Sequence, residues 1–213
     1  MEQENNPMAD YLEKQRNEEL GTGLAILSFS LFAQNVQLPA PQQTGGKPLM
    51  EALSQRQTTR EFSGEALSQQ TLSNLLWAAY GFNRADRRVV PSANNRQQFE
   101  VYVALEKGVY LYDAQANQLA LKLDGDYRKS TGRQDFVATA PVNLIYVADL
   151  GKSGREMSYA DCGFIAQNVY LFCASEDLGT VVRGSFDKDK LHELLNLSEK
   201  QEIILTQTVG YKR

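Results

Sequence analysis

The feature that most limits the fold is an apolar stretch from Tyr159 to Leu178, which has helical spacing and contains no proline. A helix that is apolar on nearly all sides must be covered on most of its faces, so we expect it at the middle of the protein. Shorter segments on both sides of it alternate between apolar and polar residues, as strands do. Because these helices and strands follow no regular β-α-β order, the sequence predicts the α+β class.

The remaining elements can be placed by their periodicity and by the residues that bound them. Leu49–Gln57 and Ser68–Tyr80 have apolar positions at helical spacing, with Ser68 as an N-cap and Gly81 as a C-terminal stop. A run that is apolar throughout, Val142–Ala148, is typical of a central strand. The other predicted elements are strands over Phe99–Leu105, Val109–Tyr112, Leu119–Leu123, Val181–Val182 and Ile203–Val209, and a short helix over Asp187–Leu195.

Composition excludes several classes of function. The chain has 213 residues, of which 42% are hydrophobic, enough for the core of one domain. With 22 Lys and Arg against 26 Asp and Glu, the net charge of −4 provides no general field for nucleic acid, and no basic block is expected. A single histidine, His192, leaves no basis for a histidine-based zinc motif or a Ser-His-Asp triad. We therefore expect no metal site, and a difficult reaction would need a cofactor.

The N-terminal segment, residues 1–33, differs from the rest of the chain. Its apolar run Gly23–Ala33 has the length of a signal peptide and ends in a small residue, which favours an exported or periplasmic protein. Against this, Glu18 and Glu19 precede the run, whereas a signal peptide begins with net positive charge. The alternative is a cytoplasmic protein in which the run packs on the domain or on a partner chain. Either way it is too short to span a bilayer, so we expect no stable membrane insertion.

Residues 34–47 contain several prolines and glycines, which predicts a linker, and the folded domain is expected over 48–213. At the start of that domain Arg56, Thr58 and Arg60 lie within five residues. Two guanidinium forks and a hydroxyl suit a phosphate and a second electron-rich group. The alternative is an ordinary solvated helix end.

Three further clusters hold polar groups that could bind a flat ligand. Asparagine and glutamine amides present a donor beside an acceptor, which matches the imide edge of a flavin ring, and Gly184 allows close approach of a backbone N–H. Taken singly, each cluster could also be a polar loop, a turn or a basic C-terminus. The residues are Pro91, Ser92, Ala93, Asn94, Asn95 and Gln97 in the first cluster, Arg183 and Gly184 in the second, and Lys212 and Arg213 in the third.

The order of these motifs resembles the FMN-dependent nitroreductase family. The shared series is R-x-[ST]-x-R-x-F, L-x-x-L-L-W-A-A-x-G, P-S-A-x-N-x-Q, a long helix with Gln167-Asn168, and a final V-G-Y, over about residues 48–213. The sequence is most similar to the small branch related to the azoline (thiazoline) dehydrogenases of peptide-toxin biosynthesis. Those enzymes carry a Lys-Tyr pair before the long helix, whereas here Lys152 is followed by Ser153.

The resemblance implies a central antiparallel sheet packed by helices, and an intertwined homodimer with two FMN sites at its interface. It implies that Arg56 binds the FMN phosphate, with Thr58 beside it and Lys212 or Arg213 completing the site. Arg60 would lie near the pyrimidine edge of the ring. The loop from Pro91 to Gln97 would line the ring, usually from the neighbouring protomer, and Arg183 and Gly184 would face N5.

The resemblance also implies the reaction. Hydride would pass from NADH or NADPH to FMN N5, and from there to a flat, electron-poor small molecule such as a nitroaromatic or a quinone. No catalytic side chain is needed for that transfer, which agrees with the scarcity of histidine. Two alternatives remain open: a flavin dehydrogenase or oxidase that acts on a heterocycle or peptide, and a flavin-binding protein without turnover. The physiological acceptor, the choice of nicotinamide and the natural direction also remain open.

Overall fold

The structure is a computed structural model that describes residues 35–213. The strands of its main sheet are β1 (Val36–Gln37), β4 (Phe99–Leu105), β5 (Gly108–Asp113), β6 (Gln118–Asp124), β7 (Val142–Asp149), β8 (Leu178–Arg183) and β9 (Gln201–Tyr211). These seven strands lie in the order β1-β6-β5-β4-β7-β9-β8, and every neighbouring pair is antiparallel. The prediction of an α+β fold with a central antiparallel sheet is confirmed.

Helices cover both faces of this sheet. The helices of the described residues are α1 (Leu49–Gln55), α2 (Gln69–Tyr80), α3 (Arg155–Ser175) and α4 (Lys188–Leu194). Strand β7 shows how the faces are filled, since its alternate side chains enter different cores. Leu144 and Tyr146 pack with α2 and α3, whereas Ile145 and Val147 pack in a second cluster with Leu191 of α4.

Local signals place the short helices. The Ser68 hydroxyl accepts a hydrogen bond from the Thr71 N–H at 3.0 Å, so it caps α2 as predicted, and Gly81 ends that helix. Asp187 caps α4 in the same way through the Lys190 N–H at 3.2 Å. These caps satisfy backbone donors that have no partner within the helix.

Helix α3 begins four residues earlier than predicted and ends at Ser175 rather than Leu178. It is also less enclosed than its composition predicts, because one of its faces has no cover within residues 35–213. Phe164 and Met157 on that face are 45% and 48% exposed. Nearby on α1, Leu49 and Met50 are 63% and 74% exposed.

Two elements escape the sequence pattern. The predicted linker contains β1, which pairs with β6 through Val36 and Leu119, and Leu38 is buried in the main core. The folded domain therefore begins before residue 48. A separate two-stranded hairpin, β2 (Phe82–Arg84) with β3 (Arg87–Arg88), follows α2.

The predicted signal-peptide-like segment, residues 1–33, lies outside the described residues. Among the helices that are described, none is long and apolar enough to cross a membrane.

Candidate functional site

The segment after α1 runs along the far end of the sheet. Its Phe62 forms an antiparallel bridge with Lys212, and the Thr59 N–H donates to the Thr180 carbonyl of β8 at 3.0 Å. The chain is thereby closed on itself, with residues near the start of the domain beside its last residues. This places four cations around one end of β8 and β9: Arg56, Arg60, Lys212 and Arg213.

The fit between this segment and β8 depends on Gly179. A Cβ at that position would lie 2.9 Å from Cγ2 of Thr59 and 3.3 Å from Cγ of Lys212. Only a residue without a Cβ allows Thr59 and Lys212 to approach β8 this closely. Gly179 therefore allows the segment that carries Arg56 and Arg60 to lie close to the C-terminal cations.

Tyr170 of α3 connects the same segment to the helix. Its hydroxyl accepts from the Val182 N–H at 3.1 Å and shares a hydrogen bond with the Thr58 hydroxyl at 3.2 Å. The Arg56 guanidinium lies over the ring, 5.2 Å from its centroid. One buried side chain thus holds Thr58 and Arg56 in place, although the sequence pattern indicates only that Tyr170 lies on an apolar helix.

The four cations form a positive cluster, and the charge of Lys212 contributes to lowering the pKa of Asp177, whose carboxylate is paired mainly with Lys47. Within residues 35–213, no ion pair involves Arg56, Arg60, Lys212 or Arg213. Arg56 is half-buried and the other three are exposed. An arrangement of this kind attracts a phosphate or another small anion.

The loop from Pro91 to Gln97 is folded by its own side chains. Asn94, Asn95 and Gln97 all have positive φ, an arrangement that asparagine tolerates better than most residues. The Ser92 hydroxyl accepts from the Gln97 N–H at 3.0 Å, and the Gln97 amide donates to Oδ1 of Asn95 at 3.0 Å. Asn95 and Gln97 therefore spend part of their hydrogen-bonding capacity within the loop.

Asp161 of α3 anchors this loop to the domain. The buried carboxylate accepts from the Ala93 N–H at 3.2 Å and from the Gln98 side-chain amide at 2.8 Å, both through Oδ2. The role of Asp161 is not predicted by the sequence motifs. The available signal was an acidic residue among apolar ones near the start of the helical stretch, because a buried carboxylate needs partners.

The two halves of the predicted site contact different parts of α3. The loop is held at Asp161, and the cation cluster is held at Tyr170. Nine residues separate these positions, which corresponds to about 14 Å along the helix axis. Within one chain the segment that carries Arg56, Thr58 and Arg60 lies beside Lys212 and Arg213, whereas the loop is held at a separate position along α3.

The Arg183 side chain, which the resemblance predicts to face N5, lies inside the protein. It is buried, and its guanidinium donates to the Thr131 carbonyl at 2.8 Å and to Oδ1 of Asn143 at 3.1 Å. Burial lowers its pKa to about 10. The neighbouring Val182 faces α3, so Arg183 points to the opposite side of the sheet. Any contact with a ligand at the α3 side would fall to the backbone or to Gly184, which is exposed.

The fold gathers a group of arginines that does not form a basic block in the sequence. Arg84, Arg87, Arg88 and Arg96 lie within 13 residues, and the first three line one cavity beside the loop. In the sequence, the only indication of this group is the short spacing of the four arginines. No group of three or more His, Cys, Asp or Glu side chains in residues 35–213 is arranged to hold a metal ion.

Comparison with known proteins gives consistent matches. The sequence pattern of the nitroreductase family matches residues 53–211. A Methanocaldococcus jannaschii protein, provisionally named a nitroreductase, is 31% identical over 195 residues, which cover 83% of this chain and 96% of that protein. A solved structure from Ralstonia eutropha, also provisionally named a nitroreductase, is 43% identical with a TM-score of 0.79, covering 84% of this chain and 90% of the other.

Two more distant structures share the fold. One, from Desulfovibrio desulfuricans and provisionally named a nitroreductase in complex with FMN, has a TM-score of 0.60 at 19% identity and covers 79% of this chain and 88% of the other. The second is a chain of the Escherichia coli microcin synthetase McbBCD complex, solved with a truncated precursor bound. It has a TM-score of 0.67 at 18% identity and covers 88% of this chain and 81% of the other.

Proposed function

Because this chain belongs to the nitroreductase family, we propose that it is an FMN-dependent oxidoreductase that takes hydride from NADH or NADPH. The acceptor is a flat, electron-poor small molecule of the nitroaromatic or quinone type. A solved structure of the same fold is named as a complex with FMN, which agrees with this choice of cofactor.

The observation that carries the proposal is the cluster of four cations without a carboxylate partner in the described residues. FMN ends in a single phosphate, and a phosphate is best held by guanidinium forks and hydroxyl donors. Arg56, Thr58 and Lys212 offer such donors beside one another, and Arg213 adds charge. The donor set therefore fits FMN.

Each residue has a distinct proposed role. Arg56, fixed on the Tyr170 ring, binds the phosphate with Thr58 and one of the two C-terminal cations. Arg60, four residues further along the non-helical segment after α1, lies near the pyrimidine edge and stabilises negative charge there. Bound FMN would supply the hydride acceptor and donor at N5, so no acid or base is required from the protein for hydride transfer.

We further propose that the active protein is a homodimer. The face of α3 that residues 35–213 leave uncovered carries Met157, Ala160 and Phe164 at helical spacing, and Gly163 beside them allows close approach. Large exposed apolar residues grouped on one face are typical of an interface. A second copy of α3 is the natural cover for this face.

A twofold axis between two copies of the chain would bring the loop of one copy near the cation cluster of the other. The two α3 helices pack antiparallel when the twofold axis is perpendicular to the helix axes. With the axis near Phe164, the Asp161 end of one helix lies towards the Tyr170 end of the other. The loop of one protomer would then approach the cation cluster of its partner, completing a site that neither chain forms alone.

Two measurements test this proposal. The first is the absorbance spectrum of the purified protein, followed by heat release and chromatography of the cofactor; we expect FMN, and release of FAD would contradict the single-phosphate site. The second is anaerobic stopped-flow mixing with each nicotinamide. Bleaching of the flavin absorbance by NADH or NADPH is the expected result. A protein that binds FMN but is reduced by neither would be a binding protein or a dehydrogenase with another donor.

A further inference from the structure

A second group of cations lies on the β2–β3 hairpin, next to the loop from Pro91 to Gln97. Arg84 and Arg87 are register partners across the hairpin, and Arg88 follows in the same strand. Residues 82–97 hold four arginines and one carboxylate, Asp86, although the whole chain has a net charge of −4. Because these positive charges are concentrated in one place on a protein with net negative charge, they favour the binding of an anion there.

Arg88 is fixed in place by contacts on both sides of its guanidinium. The group lies 3.9 Å from the Phe82 ring centroid and 4.3 Å from that of Tyr80. It donates to the Tyr80 carbonyl at 2.9 Å and to Oε1 of Gln97 at 3.1 Å. Burial lowers its pKa, and no described carboxylate forms an ion pair with it. The hairpin therefore has one preorganised charge at its base.

The hairpin and the loop are tied together at Asp86. Its carbonyl accepts from the side-chain amides of Gln97 at 2.7 Å and of Asn95 at 3.3 Å. Its carboxylate pairs with Arg87 at 3.0 Å, in an ion pair whose side chains are 45% and 75% exposed. Exposed pairs of this kind contribute little, so a ligand with more charge can compete for Arg87.

Between the hairpin and the loop lies a cavity of about 320 Å³. Its lining includes all three hairpin arginines together with Pro91, Ser92 and Asn95. This volume is at the small end of ligand pockets, which run from roughly 300 to 1,000 Å³. It suits a phosphate on part of a sugar rather than a whole cofactor.

We propose that this arginine pocket binds the 2′-phosphate of NADPH through Arg84 and Arg87, and that the enzyme therefore uses NADPH in preference to NADH. The inference rests on the proposed function, because that function places the flavin ring and its nicotinamide donor against the same loop. NADPH and NADH differ only in this phosphate, which carries close to two negative charges and three acceptor oxygens. Arginine forks match such a group, and the remainder of the dinucleotide would lie outside the cavity.

Binding of a fragment tests the pocket without any turnover. Titration calorimetry with adenosine 2′,5′-bisphosphate and with adenosine 5′-monophosphate compares ligands that differ in the 2′-phosphate. We expect the wild type to prefer the bisphosphate at least tenfold, and Arg84→Ala with Arg87→Ala to lose at least tenfold of that preference. Lys122→Ala, which removes an exposed cation on β6, is the control and should change neither affinity. Equal affinities for the two fragments in the wild type would overturn the proposal.

Flavin reduction separates this inference from the function on which it rests. In the wild type the second-order rate of reduction should be higher for NADPH, and the double variant should lower it for NADPH at least tenfold while leaving NADH nearly unchanged. Reduction by both donors with no effect of the double variant would refute the pocket and leave the oxidoreductase intact. Fragment binding without reduction by either donor would refute the oxidoreductase and leave the pocket intact. Because Arg84 and Arg87 are exposed, Arg84→Gln with Arg87→Gln provides a second pair that should fold normally.

Discussion

Tyr170 joins α3, β8 and the segment after α1, so the role of its hydroxyl can be tested directly. Tyr170→Phe keeps the ring beneath Arg56 but removes the acceptor of the Val182 N–H and the partner of Thr58. An N–H that loses its partner in a buried setting costs about 1–3 kcal/mol. Thr58 is exposed and can bond to water instead, so its loss adds little.

The expected loss is therefore about 1–2 kcal/mol, since Val182 is only partly buried. For a protein of this size that corresponds to a decrease in Tm of roughly 2–8 °C. Differential scanning fluorimetry at fixed protein and FMN concentration measures it, and flavin titration should show a modest decrease in affinity. Tyr170→Leu also removes the ring under Arg56, so it should weaken FMN binding further.

Tyr159→Phe is the matched control, because this tyrosine lies on the same helix and is 43% exposed. Its hydroxyl has only a 3.5 Å contact with Lys188, so we expect no change in Tm or affinity. If Tyr170→Phe behaves like Tyr159→Phe in both assays, then Tyr170 does not organise the site, and our account of how Arg56 is held is wrong.

Three further predictions concern the site, the dimer and the N-terminal segment. Arg56→Gln should lower FMN affinity sharply with little change in the flavin midpoint potential, because the phosphate loses a charge-assisted donor pair. Arg60→Gln should weaken FMN binding only modestly but lower the midpoint potential by tens of millivolts, where about 30 mV corresponds to 1.4 kcal/mol for a two-electron couple. Flavin titration and redox-dye equilibration distinguish the two variants, and loss of binding without a change in potential for Arg60→Gln would show that Arg60 is a phosphate ligand. Phe164→Asp should give a monomer with reduced flavin content by light scattering, whereas a flavin-loaded wild-type monomer at micromolar concentration would refute the shared site. Deleting residues up to Ala33 should leave flavin content and Tm nearly unchanged, and a large loss of either would show that the apolar run belongs to the core or the dimer contact.

The sequence determined the parts of this protein that depend on neighbours a few residues away. The caps at Ser68 and Asp187, the hairpin of β4 and β5 and the apolar strand β7 all follow from local chemistry and periodicity. The motif order also indicated the family, together with the candidate residues Arg56, Thr58 and Arg60. A two-residue strand such as β1 escapes this kind of analysis, because it is held by its partner β6 rather than by its own pattern.

Only the tertiary structure decided which of those residues meet. Lys212 reaches Phe62 because β9 lies between β7 and β8, an order that no local signal specifies. The face on which Arg183 lies was likewise decided by the fold, because a strand alternates its faces and one residue of offset moves a side chain to the other side of the sheet. The arginines of the hairpin are separated along the chain by a turn, and the fold of β2 on β3 turns their spacing into one cavity. Contacts between distant segments depend on the order of strands in the sheet and on which face of the sheet each residue occupies, and these are properties of the whole fold.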